Sequence, residues 1–72
     1  MRDTILQALR KHAEGELALH KANVEVYLNS VTGIGEHSDV LEAVQKELDL
    51  MATANDRLEM LDTFEYPDAP TF

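Results

Sequence analysis

The second half of the chain carries a heptad pattern, and this is the sequence feature that most restricts the fold. Its positions alternate in steps of four and three, the spacing of a helix that packs along another helix. We call this set the downstream ladder. It consists of Val40, Val44, Glu47, Met51, Ala54, Leu58 and Leu61. Glu47 is an acid where the pattern requires an apolar residue, so it needs a polar partner if it is packed.

A second ladder with the same steps and the same length lies near the start of the chain. We call it the upstream ladder. It consists of Ile5, Leu9, His12, Glu16, Leu19, Asn23 and Val26. If the chain reverses near Gly33, positions 26 and 40 meet at one end and positions 5 and 61 at the other, with each pair adding to 66 or 67. The sequence therefore predicts an all-α fold, an antiparallel two-helix hairpin.

Helix-capping residues and prolines predict where the helices begin and end. Thr4 and Gln7 fit a capping box, Ser38 is suited to be the N-cap of the second helix, and Pro67 and Pro70 exclude helix from the last residues. We expect the last segment to be extended, with its aromatic rings packed on the bundle or on the sister subunit. The predicted parts are a hairpin over 1–63, with a helix over about 4–29, a loop over 30–38 and a helix over about 39–63, and a tail over 64–72.

The chain is too short for two helices to enclose a hydrophobic core. It has 72 residues and no cysteine, and chains of this size usually need a disulfide, a metal or a partner for stability. The apolar side chains of the first helix also cover a wider arc than one neighbouring helix requires. We therefore expect a homodimer that forms a four-helix bundle.

The net charge of −8 lies entirely in the second half of the sequence. Residues 1–35 hold four acids and four bases, whereas residues 36–72 hold ten acids and two bases. Direct nucleic-acid binding is not expected, because it begins with the neutralisation of phosphate by Lys and Arg. The charge is typical of a solvated acidic surface. An alternative is an inhibitor that mimics nucleic acid through exposed Glu42, Asp49 and Asp56 and binds a basic host protein.

The sequence offers no membrane or export signal. No apolar run approaches the roughly 20 residues that span a bilayer, and the first residues lack the apolar stretch of a signal peptide. We expect a cytoplasmic protein.

Several polar residues fall on the apolar side of the predicted hairpin. His20 should lie opposite Glu47, and Asn55 should come near His12. Such residues must bond to each other, to water or to a ligand. We predict a buried polar network that fixes the helix register, with a wet groove that recognises a partner as an alternative. Its members are His12, Glu16, His20, Asn23, Glu47 and Asn55.

A metal site is the sharper alternative for the same residues. In a dimer, Glu16, His20 and Glu47 would supply four carboxylates and two imidazoles, the ligands of di-iron carboxylate bundles. Those sites use Glu-x-x-His, whereas Glu16 and His20 are separated by three residues. We therefore expect no metal and no other cofactor.

Catalytic patterns are equally incomplete. Ser30 and Ser38 are accounted for by helix ends, with no glycine-flanked nucleophile elbow. Glu59 and Asp62 form half of a magnesium motif of all-α pyrophosphohydrolases, whose companion Glu-x-x-Glu is missing. The sequence does not predict an enzyme.

Four stretches of the chain form a recognisable set. They are His12-Ala13-Glu14-Gly15, His20-Lys21-Ala22-Asn23-Val24-Glu25-Val26, Gly33-Ile34-Gly35-Glu36-His37 and Leu58-Glu59-Met60-Leu61. With these stretches the chain resembles small uncharacterised proteins of tailed marine cyanophages, over most of residues 5–62 and without the tail. The resemblance implies a phage protein that acts in a host bacterial cytoplasm or in a virion, with an accessory or interaction role and no catalytic residues to assign.

Overall fold

The computed structural model describes residues 1–30 and 37–66, which form two α-helices and contain no strand. Helix α1 spans Arg2–Ser30 and helix α2 spans His37–Glu65, each 29 residues long. The helices pack against each other. The Arg2 guanidinium donates a hydrogen bond to the carbonyl of Phe64, so the start of α1 lies beside the end of α2. The predicted all-α hairpin is confirmed.

Both helices extend further than the caps in the sequence indicate. Thr4 lies inside the first turn of α1, since the N–H of Ile5 already donates to the carbonyl of Met1. At the other end, the N–H of Tyr66 donates to the carbonyl of Asp62. Pro67 follows directly, and a residue before proline is disfavoured in the α conformation. The expected reversal at Gly33 and the tail from Pro67 onward lie outside the described residues.

The downstream ladder forms the face that α2 turns towards α1, as predicted. Ala54 is 1% exposed, and the other six members, from Val40 to Leu61, are all half-buried. Glu47 is among these six. The heptad therefore identified this side of the hairpin seam correctly.

The upstream ladder, by contrast, is one residue out of place. Ile5, Leu9, His12, Leu19 and Val26 are exposed. The face of α1 that meets α2 follows the same steps one position later, and we call it the α1 seam. It consists of Leu6, Arg10, Ala13, Leu17, His20, Val24 and Tyr27.

The physical reason for this shift lies in the composition of the two candidate faces. The α1 seam has five apolar members, against four in the upstream ladder. Its small Ala13 is 1% exposed, like Ala54 of α2, so the helices approach closely at mid-length. Its two polar members, Arg10 and His20, both reach acids on α2. The upstream ladder would instead place three polar residues in the seam.

Candidate functional site

A half-buried polar cluster spans the seam around Glu47. His20 donates from Nδ1 to Oε2 of Glu47 at 2.6 Å, and the amide of Asn23 donates to Oε1 at 3.2 Å. The side chains of His20 and Glu47 are 16% and 18% exposed. Because both carboxylate oxygens accept a hydrogen bond, this acid is accommodated in the seam without an unpaired charge. The predicted position of His20 opposite Glu47 is confirmed.

A second cluster joins the two helices on one side of the seam. Arg57 of α2 donates from Nη1 to Oε1 of Glu16 at 3.0 Å, and Nε2 of His12 lies 3.0 Å from the same oxygen. Glu16 is therefore held by a base on the facing helix and by a histidine one turn before it. Arg57 is exposed, so this pair lies partly in solvent, where an ion pair contributes about 1 kcal/mol or less.

The structure therefore does not form the single buried network that the sequence predicted. None of its described members is fully buried. The His12 side chain is 71% exposed, and the Asn55 amide reaches Glu59 on its own helix instead of His12. The one-residue shift of the α1 seam explains this result. It moves His12 and Glu16 out of the seam and moves His20 into it.

The residues of the metal hypothesis also separate. His20 and Glu47 are in contact, but Glu16 is bonded to Arg57, a cation that competes with any metal for the carboxylate. In the part of the chain that the structure describes, no three His, Asp or Glu side chains come together so that they could hold a metal ion.

A third cluster, which the sequence analysis missed, lies near the end of the hairpin where α1 begins. Arg10 donates from Nε to Glu65 at 3.0 Å and from Nη2 to Asp62. These hydrogen bonds, the one to Glu65 first, raise the pKa of the Arg10 guanidinium above its usual value. An arginine is charged at any working pH, so both contacts are ion pairs. A signal was present, since Arg10 falls on the heptad steps one position after the upstream ladder.

Of two open grooves along the described residues, the larger lies beside the cluster of His12, Glu16 and Arg57, which we call the Glu16 cluster. Its volume is about 480 Å³. The smaller groove, of about 320 Å³, lies beside Arg10 and Tyr66 at the end of the hairpin. The larger groove is lined by Leu9, His12, Ala13, Thr53, Asp56, Arg57, Met60 and Leu61.

Large apolar side chains continue along both helices on the side of this groove. We call this surface the apolar flank. Its α1 part is the upstream ladder. Its α2 part follows α2 from Asp39 to Phe64 in steps of four and three. The exposed large apolar members are Ile5, Leu9, Leu19, Val26, Leu50, Met60 and Phe64, and the remaining members are His12, Glu16, Asn23, Asp39, Ala43, Lys46, Thr53 and Arg57.

The fold and these clusters together define a small α-helical hairpin with large apolar side chains exposed on its surface. Comparisons with protein-family models, with curated proteins and with solved structures return no match to the chain. Neither described helix is long and apolar enough to cross a membrane. The resemblance to cyanophage proteins stays a prediction.

Proposed function

We propose that this protein is a non-catalytic protein-interaction module whose working form is a homodimer, a four-helix bundle made from two hairpins. The observation that carries this proposal is how little the single hairpin buries. Among the described residues only Ala13 and Ala54 are fully buried, and no large side chain is. The other apolar side chains of the seam are only half-buried, and a hairpin of this size usually needs further burial for stability.

The apolar side chains left exposed support the same proposal. Twelve large apolar side chains of the described residues are exposed, among them Ile5, Leu19 and Phe64. Chains of this size usually need a partner or a staple for stability. A second hairpin would cover part of this surface.

The proposed biological setting rests on the resemblance described above. With the resemblance to cyanophage proteins, we propose a phage accessory protein that acts in a host bacterial cytoplasm or in a virion. Its contacts there are with protein. The acidic second half of the sequence disfavours direct binding to nucleic acid.

Native mass spectrometry of untagged protein, purified without chelator, tests the proposal. We expect a metal-free species of twice the chain mass that dissociates on dilution, because a dimer is stabilised by mass action. If the protein stays monomeric at all concentrations at which its helices are formed, the proposed homodimer is wrong. A dimer with additional mass that EDTA removes would contradict the metal-free module.

A further inference from the structure

We infer that the second copy packs on the apolar flank, so that this surface is the interface of the dimer. The inference rests on the proposed function and names the face that carries it. The flank exposes apolar side chains from both helices, for example Leu19 and Val26 of α1 and Leu50 and Met60 of α2. Apolar side chains exposed on one face of a small protein are typical of interaction sites.

The charge of the flank indicates that its occupant is another copy of the same chain. The chain has 14 acidic and 6 basic residues, but the flank contains two acids, Glu16 and Asp39, and two bases, Lys46 and Arg57. The flank therefore has no net charge, and Glu16 and Arg57 are bonded to each other. Asp56 adds one acid at the groove beside it. A strongly acidic chain can approach its own copy only where its acids are few or neutralised. A basic partner would instead bind where the acids are concentrated.

The Glu16 cluster is compatible with burial in such an interface. Glu16 lies in the middle of the run from Ile5 to Val26, where a partner would cover it. Its Oε1 atom is already 3.0 Å from both Arg57 Nη1 and His12 Nε2. Covering the carboxylate would therefore not leave it without partners, which is the main cost of burying a charge.

The opposite side of the hairpin is a poorer interface. It also exposes leucines, such as Leu41 and Leu48. Following the heptad along that side, however, leads to Glu14 and Lys21 on α1 and to Asp62 on α2. Its apolar surface is thus restricted to the part of the hairpin near the end of α1.

A matched pair of substitutions distinguishes the two sides. Leu19 of the apolar flank is 57% exposed and Leu41 of the opposite side is 65% exposed, so neither is needed for packing within the hairpin. We expect Leu19→Glu to weaken dimerisation by about 30-fold or more, the effect of losing a central interface residue. Leu41→Glu should change it by less than about threefold. Analytical ultracentrifugation gives the dissociation constants, and circular dichroism reports whether each variant is helical.

The outcomes separate this inference from the proposed function. Two results with a dimeric wild-type protein would show that the flank is not the interface. In one, Leu41→Glu disrupts the dimer and Leu19→Glu does not; in the other, neither substitution disrupts it. The proposed dimer would stand in both cases. If wild-type protein is a monomer, the proposed function fails, and this inference fails with it.

A fluorescence measurement keeps the test valid if Leu19→Glu does not fold. The chain has no tryptophan, so Leu19→Trp and Leu41→Trp each introduce a single reporter at an exposed site. The emission of Leu19→Trp should shift to the red as the dimer dissociates on dilution, and that of Leu41→Trp should not. The reverse pattern would overturn the inference.

Discussion

Removing the Glu47 carboxylate is expected to destabilise the hairpin by about 1.5 kcal/mol. Glu47→Ala eliminates the 2.6 Å bond from His20 and the 3.2 Å bond from Asn23. Net hydrogen-bond contributions are about 1 kcal/mol each, with more for the short bond to a charged group. The better helix propensity of Ala returns about 0.4 kcal/mol. Because both partners in the short bond are less than one-fifth exposed, solvent screens it only partly.

A double-mutant cycle isolates the His20 to Glu47 contribution. Urea unfolding followed by circular dichroism, at one fixed protein concentration, should be measured for wild type, His20→Ala, Glu47→Ala and the double variant. We expect a coupling free energy of about 1 kcal/mol. The control is Glu42→Ala, which makes the same change at an exposed site of α2 and should alter stability by less than about 0.5 kcal/mol.

The cycle can refute the interpretation of this cluster. If the coupling between His20 and Glu47 is below about 0.3 kcal/mol, the two singles are additive. The 2.6 Å contact would then contribute nothing to folding, and the presence of Glu47 in the seam would need another explanation. A cost of Glu42→Ala equal to that of Glu47→Ala would point to the same conclusion.

Two further substitutions test the packing of the helices, again by urea unfolding. Gly15→Ala should raise the free energy of unfolding by about 1 kcal/mol, because a Cβ there meets nothing within 4 Å and Ala is the better helix former. A loss of stability would mean that another chain approaches this position. Ala54→Leu should lower the free energy of unfolding by about 2 kcal/mol through overpacking, because Ala54 and Ala13 are both 1% exposed. An unchanged free energy of unfolding would show that the helices do not approach closely there.

The downstream half of the seam could be predicted from the sequence because α2 has only one well-formed ladder. Val40, Ala54 and Leu61 follow the heptad, and no competing face of α2 carries as many apolar residues. The contact of His20 with Glu47 followed from the hairpin register, since Glu47 was the acid that needed a partner.

The α1 side could not be chosen in the same way, because α1 carries two adjacent ladders. The steps that begin at Ile5 and those that begin at Leu6 are both rich in apolar residues, and heptad spacing alone does not distinguish them. The second ladder is favoured because it has one more apolar member and because its polar members, Arg10 and His20, both reach acids on α2. The bond from Arg57 to Glu16 was hidden for the same reason, since Glu16 was assigned to the seam itself.

The error in the upstream ladder bears on the proposed dimer. An α-helix that packs against one neighbour needs one apolar stripe, and a second stripe beside it costs solubility unless it too is covered. In α1, the stripe that begins at Leu6 meets α2, and the stripe that begins at Ile5 is exposed. In a four-helix bundle each helix has two neighbours, so both stripes would be used. On this interpretation the ladder read first from the sequence is also a packing surface, and its partner is the second copy.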